Sequence, residues 1–364
     1  MESHNDLRLE ALRRRMTGAR LDGILVSRPE NNYYLSGFTG EDGYLVVSSG
    51  RAILFVDSRF SEQARSQCPS WEVRQFSQFT PDLVSLWGEL DLRYVGVESQ
   101  HLSMAAAREL ERLAVSQNTL PGAIVPLVDF LEQQRATKEE QELVILRQAA
   151  RSATAALEEA LKDGLVGRSE EEIAWRLEMA MHTHGAQSPS FETIVASGTR
   201  AALPHGVAST KIVEAGEMVL FDWGVRKDHY CSDCTRVVFT SPPMIDQERI
   251  YAAVLDCQTE ALRLVVPGAR PRDILVAVHE ILQRSGYGDF AFQHGLGHGI
   301  GLQVHEPPFL RASGEEPLRA GQVITIEPGV YIPGWGGVRI EDTVLVTEGS
   351  SEIFTSFPKT IIIA

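Results

Sequence analysis

No stretch of this 364-residue chain approaches the length and apolarity of a membrane span, and its opening, Met1-Glu2-Ser3-His4-Asn5-Asp6-Leu7-Arg8, holds no hydrophobic core of signal-peptide length. Cytoplasm is therefore the expected compartment. Cysteine is scarce, since Cys68, Cys231, Cys234 and Cys257 are too few to form a disulfide framework in a chain of this size. Positive charge is in deficit, with 34 Lys and Arg against 49 Asp and Glu and a formal net charge of -15, which speaks against a nucleic-acid surface. Short-period repeats and low-complexity segments are missing too. What remains is a globular composition, 43% hydrophobic, long enough for two domains with cores of their own.

Patterning divides the chain near residue 132. Residues 1–132 open with an Arg-rich amphipathic helix, then alternate strand-like runs at 23–27, 43–48, 52–56 and 94–97 with helices such as Ser103 to Val115, a small α/β domain. The polar stretch 133–140 marks the joint to a second domain, residues 133–364. There a long helix runs to about Lys162. Ser169-Glu170-Glu171-Glu172 reads as a capping box that opens the next helix, and Gly185 can end it. Two more helices span about Ile245 to Val265 and Pro271 to Gly286. Helix pairs alternate with hairpins, the pattern of an α+β half that is repeated.

Each predicted hairpin carries two acids. Asp222 lies in the apolar run 218–225 and Asp233 in 229–239, nearly equidistant from the turn, so antiparallel pairing puts them roughly opposite, about 5 Å apart. Two carboxylates that close repel unless a cation lies between them. Glu327 ends the run 323–327 and Glu341 the return run 338–341, around a turn at 333–337. Acids on strands usually face water. These four sit inside β-branched and aromatic runs, where an unpaired carboxylate is expensive to bury. His294, His298 and His305 follow one another at spacings of four and seven, among glycines at 295, 297, 299 and 301. Each glycine would cost about 1 kcal/mol in a helix; an extended, closely approached backbone suits them. Asp222, Asp233, His298, Glu327 and Glu341 are thus the inventory of a two-metal hydrolase site.

Other pairs read as decoys. Cys231 and Cys234 are three apart on a strand and face opposite sides, so they do not chelate together, and Cys231 shares the face of Asp233. His182 and His184 lie near a helix end and face solvent. His279-Glu280 opens like a zincin motif, but Gln283 stands where the second histidine is needed.

The four acids and one histidine, with Gly-His-Gly, His305-Glu-x-Pro and Gly337-Val-Arg-Ile-Glu-Asp342, resemble the pita-bread metallopeptidase family of methionine aminopeptidase, aminopeptidase P and prolidase. The runs 32–38 and 55–60 are similar to the amino-terminal creatinase-like domain of its proline-specific branch. The resemblance implies an α+β pita-bread fold behind an α/β domain. It implies that Asp233 and Glu341 bridge two divalent ions, that Asp222 completes one, and that His298 with Glu327 completes the other. It makes Glu327, His305 and His205 catalytic, and His294 and Arg339 substrate-binding. Two divalent ions about 3.5 to 4 Å apart lower the pKa of a shared water, so hydroxide is the expected nucleophile, with Glu327 relaying a proton and His205 and His305 supporting the oxyanion or the leaving nitrogen. The oxygen-rich donor set favours Mn(II), with Co, Fe or Zn as alternatives.

The same resemblance implies an Xaa-Pro peptide substrate and a homodimer. Several prolidases have arginine directly after His-Glu-x-Pro; this chain has Phe309 there and Arg311 two beyond. That departure favours an aminopeptidase P acting on longer peptides over a prolidase confined to dipeptides. An amide or amidine hydrolase, or a scaffold of the same fold, is the remaining alternative.

Overall fold

Strand-forming runs of Val, Ile, Leu and Phe build the first unit around one mixed sheet. The protein is seen in a computed structural model that describes residues 4–116 and 122–364, in two units, Met1–Arg135 and Ala136–Ala364. In the first, β1 (Gly23–Val26), β2 (Gly43–Ser48), β3 (Ala52–Val56), β4 (Glu72–Gln75), β5 (Tyr94–Glu98) and β6 (Ala123–Leu127) lie in the order β4-β3-β2-β1-β5-β6. Six helices accompany them, α1 (His4–Gly18), α2 (Pro29–Ser36), α3 (Ser61–Gln67), α4 (Phe79–Glu89), α5 (Met104–Ser116) and the single turn α6 (Glu132–Arg135). The expected strands at 23–27, 43–48, 52–56 and 94–97 are β1, β2, β3 and β5. The two edges were not expected. Both lack the signature of a buried strand, because β4 reads Glu-Val-Arg-Gln and is half exposed, and β6 carries Pro126, tolerated at an edge.

The second unit opens with α7 (Glu140–Ala160), whose stripe of Leu143, Leu146, Ala149, Ala153, Ala156 and Ala160 recurs at helical spacing and is buried. It packs on α8 (Glu170–Thr183), which begins at Ser169; the Ser169 hydroxyl accepts from the Glu172 amide. Only that half of the expected capping box forms, as the Glu172 carboxylate pairs instead with Arg168 and Arg176. A reciprocal box is found one helix earlier, between Glu139 and Glu142. Two more helices, α9 (Ile245–Leu264) and α10 (Pro271–Arg284), pack together in the same manner. Among the described residues no helix is long and apolar enough to cross a membrane.

Between the helix pairs lie short antiparallel sheets. The first half supplies β7 (Ser188–Pro189), β8 (Ile194–Ser197), β9 (Met218–Trp223), β10 (Val225–Lys227), β11 (Tyr230–Cys231) and β12 (Cys234–Phe239). The second supplies β13 (Gly297–Gly299), β14 (Glu306–Leu310), β15 (Val323–Ile326), β16 (Gly329–Ile332), β17 (Gly336–Arg339), β18 (Asp342–Val346) and β19 (Ser351–Ile353). β9 pairs with β8 and β12, and β15 with β13 and β18. One apolar cluster joins the two halves, with Leu220, Val237 and Phe239 from the first and Ile324, Ile326 and Val344 from the second. Trp223 locks β9 to α7: its ring is fully buried, meets Phe357 edge-on, and its indole N–H donates to the Ala153 carbonyl at 2.8 Å.

Candidate metal centre

The first hairpin turns at Asp228 and His229, both with positive φ, 45° and 70°. That is the signature of a two-residue primed turn, made here without glycine. The register corrects the expectation that Asp222 and Asp233 stand opposite one another. Asp222 faces Thr235, and Trp223 faces Cys234, so the strands place Asp233 one step before β12 and diagonal to Asp222. The second pair does not come from a simple hairpin either. β15 pairs with β18, with Ile326 opposite Asp342, while β16 and β17 form a separate ribbon between them. Glu327 follows Ile326 and Glu341 precedes Asp342, so these two acids leave the ladder side by side.

His298 enters from β13, where the glycines make close approach possible. A Cβ on Gly297 would lie 1.9 Å from the Thr325 carbonyl oxygen, and one on Gly299 2.3 Å from that of Pro307. The His298 Nδ1 is 3.1 Å from the Gly299 carbonyl oxygen, which can only accept. Nδ1 therefore carries the proton, and the bare Nε2, 3.6 Å from both Asp233 and Glu327, turns its lone pair to the same space as the carboxylates, free for a cation. Burial, then the neighbouring His305, pushes the His298 pKa down to about 3, so the ring is neutral.

Ligand atoms of Asp233, His298 and Glu341 lie within 4.8 Å of one another. The side-chain oxygens Asp222 Oδ1 and Asp233 Oδ1 are buried without a hydrogen-bond partner. Burial, and then the neighbouring carboxylates, push Asp233 and Glu341 well above the ordinary range; burial raises Glu327 to about 8. Orphaned oxygens and mutually repelling acids in a low dielectric call for positive charge in their midst, and the oxygen-rich set with one neutral imidazole fits divalent metal ions.

One arginine organises the acids. Arg339, buried, donates to Asp222 Oδ2 at 2.5 Å, to Thr235 Oγ1 at 3.0 Å, to the Tyr331 hydroxyl at 2.7 Å and to the Pro204 carbonyl at 3.1 Å. Thr235 passes the contact on to Glu341 Oε2 at 2.7 Å. Tyr331 in turn is 3.1 Å from His294 Nε2, while His294 Nδ1 donates to the Gly295 carbonyl at 2.7 Å. Burial keeps His294 neutral, with a pKa of about 4. Thr235 and Tyr331 escaped the sequence reading. Thr235 had a signal, two residues beyond Asp233 on the same strand face; Tyr331 had none.

The loop bearing His205 is tied at both ends by Glu170, a fully buried carboxylate. It accepts from the Ser197 amide and hydroxyl, from Arg200 Nε, and from the Ser209 amide and hydroxyl. On the other side Glu306, next to His305, forms a buried ion pair with Lys138 at 2.7 Å. All nine residues singled out in the sequence, His205, Asp222, Asp233, His294, His298, His305, Glu327, Arg339 and Glu341, line one pocket of about 500 Å³. His205 and His305 are at its exposed mouth, and Phe191, Glu192, Phe309 and Arg311 complete the walls. The decoys stay outside it. Cys231 and Cys234 point to separate carbonyls, of Leu302 and Glu341; His184 pairs with Glu159, His182 is exposed at the end of α8, and His279 packs on Phe292.

A pocket walled by such an acid and histidine set, between two repeated sheets, is that of a metal-dependent peptidase. Comparison with known proteins agrees: residues 144–348 match Metallopeptidase family M24, and residues 8–137 match the Creatinase/Prolidase N-terminal domain. The chain belongs to metallopeptidase family M24 and has its pita-bread fold behind a creatinase-like amino-terminal domain. It is 36% identical to an Xaa-Pro dipeptidase of Pyrococcus horikoshii, over 94% of this chain and 95% of that one. An Xaa-Pro dipeptidase structure from Bacillus anthracis superposes with a TM-score of 0.94 at 36% identity, covering 99% of this chain and 100% of the other. An X-Pro aminopeptidase structure from Thermotoga maritima gives a TM-score of 0.87 at 33% identity, covering 96% and 100%.

Proposed function

We propose that the protein hydrolyses the bond before proline at the amino terminus of short peptides, with dipeptides as its first substrates. The relatives named Xaa-Pro dipeptidase support the bond. The observation that carries the dipeptide reading is Arg311. It lines the pocket beside Phe309, with its guanidinium 5.1 Å from the ring centroid, and no ion pair among the described residues occupies it. A free cation on the wall of a peptidase pocket suits the carboxylate that a dipeptide presents. Phe309, at the position where several prolidases have arginine, and the likeness to an X-Pro aminopeptidase favour a second reading, an aminopeptidase P that accepts longer chains.

In this assignment Asp222, Asp233, His298, Glu327 and Glu341 hold two divalent ions, with Mn(II) the expected metal. When bound, such ions polarise the scissile carbonyl and acidify water. The side chains do the rest. Glu327 takes up and returns a proton. His305 and His205, at the mouth, donate to the developing oxyanion or the leaving proline nitrogen. His294, neutral and fixed by Tyr331, and Arg339 shape the wall against which substrate rests. An X-Pro bond needs such a dedicated pocket because its nitrogen carries no N–H and its torsions are restricted.

The test is a panel of Xaa-Pro, Xaa-Pro-Yaa and Xaa-Ala-Yaa peptides with the metal-stripped protein and added Mn(II), followed by mass. Metal-dependent release of Xaa from Xaa-Pro alone marks the dipeptidase, and release from both proline peptides marks the aminopeptidase. No cleavage of either would sink both readings. The homodimer implied by the resemblance is tested separately by light scattering.

A further inference from the structure

Beside the metal pocket lies a second concavity, of about 570 Å³, that shares Glu192 and Val207 with it. It is lined by one face of α8, where Glu171, Trp175 and Glu178 recur at helical spacing, and, on the side shared with the metal pocket, by Glu192 and the adjoining Thr193 just before β8. Four glutamates line it and no lysine or arginine does. Two have ordinary explanations. Glu171 and Glu172 occupy the first turn of α8, where negative charge favours the helix end, and Glu172 pairs with Arg168 and Arg176. Glu178 and Glu192 are in no such position, and neither has an ion pair among the described residues.

Two further observations point to a ligand. Thr193, only 3% exposed, lines the groove, and its buried hydroxyl has no hydrogen-bond partner. A buried hydroxyl left unpaired is costly, and a donor from outside would satisfy it. Trp175 is 73% exposed, a large aromatic face held in solvent between carboxylates. Carboxylates, an aromatic face and a lone acceptor together suit a guanidinium or ammonium group, which takes hydrogen bonds, ion pairing and cation–π contact at once.

We propose that this groove receives the cationic side chain of the residue preceding proline, and that it gives the enzyme a preference for arginine or lysine at that position. The inference rests on the peptidase reading given above. The two concavities meet at a shared wall. Glu192 leads into Ile194, which pairs with the candidate metal ligand Asp222, so this wall adjoins the candidate metal centre. Glu192 and Val207 line both concavities, so a long side chain that leaves the metal pocket over Glu192 enters the groove of Trp175 and Glu178.

The experiment compares kcat/KM for Arg-Pro, Leu-Pro and Glu-Pro with the metal-loaded enzyme. Arg-Pro is expected to exceed Leu-Pro by about fivefold, with Glu-Pro slowest, and salt should erode the difference. The Arg-Pro to Leu-Pro ratio should fall toward unity in Glu178→Gln and in Glu192→Gln, and should survive Glu158→Gln, an equal charge change on exposed α7 surface. Equal rates for Arg-Pro and Leu-Pro in the parent enzyme, or a ratio that both groove variants leave intact, overturns the proposal. Should even Leu-Pro resist cleavage, the peptidase reading is what fails. Titration with argininamide then decides the groove by itself: a saturable change in tryptophan emission that disappears in Trp175→Phe and weakens in Glu178→Gln supports it, and no change overturns it.

Discussion

Arg339 donates through Nη2 to one oxygen of Asp222 and leaves the other, Oδ1, buried without a partner. The arginine thus aims the carboxylate while keeping half of it available. Its other donors hold Thr235, Tyr331 and Pro204, a planar fork that a lysine ammonium cannot reproduce. Arg339→Lys, though it keeps the charge, is expected to lower kcat/KM by about 10²-fold, the usual scale for misplaced reacting groups. Steady-state kinetics at saturating metal measures it; a loss below about threefold would mean that charge alone matters.

Stripping divalent ions should abolish turnover and lower the melting temperature, with Mn(II) restoring both. The stability arm follows from linkage, as a ligand present at about 100 times its Kd stabilises the folded state by about 2.7 kcal/mol. Glu327→Gln should reduce kcat by about 10² to 10⁴-fold, the range for loss of a positioned acid or base. Metal content by elemental analysis separates lost proton transfer from lost metal. Full turnover of Glu327→Gln with metal present would remove this residue from the mechanism.

Arg311→Ala should raise KM for an Xaa-Pro dipeptide by about tenfold and affect the corresponding Xaa-Pro amide much less, because the amide has no carboxylate for the guanidinium to hold. Equal increases for the two substrates would assign Arg311 to the pocket wall alone.

The four cysteines are buried. Burial pushes the Cys257 thiol from 9.0 up to about 12 and raises Cys68 and Cys234 as well. A raised thiol pKa means that ionisation is easier in the unfolded chain. The associated stability is whole below about pH 9 and is lost as pH climbs toward 12. A thiol-reactive dye should label none of the four at pH 8 in the native protein and all four in denaturant. Denaturant midpoints should fall between pH 9 and 11, less steeply in Cys257→Ala.

Much of the centre was legible because metal chemistry restricts residue types. Four acids in apolar runs and a histidine among glycines are a pattern that metal binding would explain, and all nine selected residues do line one pocket. Register was less accessible. Symmetry about a turn suggested that Asp222 faces Asp233, yet the tight turn at Asp228 and His229 and the short β10–β11 pair shift the partner of Asp222 to Thr235. The runs 323–327 and 338–341 read as partners around a turn at 333–337, and in the structure β15 pairs with β18 while Val338 and Arg339 belong to β17 in the separate ribbon with β16. Tyr331 and the Trp175 groove depend on which distant segments meet, something no local pattern encodes.

The candidate ligands are drawn from β9 and the entry to β12 in one half, and from β13, the end of β15 and the entry to β18 in the other. Neither half can offer the full set, and the contacts that bring them together are far apart in sequence, as in Thr235 with Glu341 and Asp233 with His298, the slow, non-local kind. A chain folded only through its first sheet has Asp222 and Asp233 and little hold on an ion. If these residues hold the metal, tight uptake is expected to follow the meeting of the two halves, and metal content after refolding should then report how many molecules have joined them.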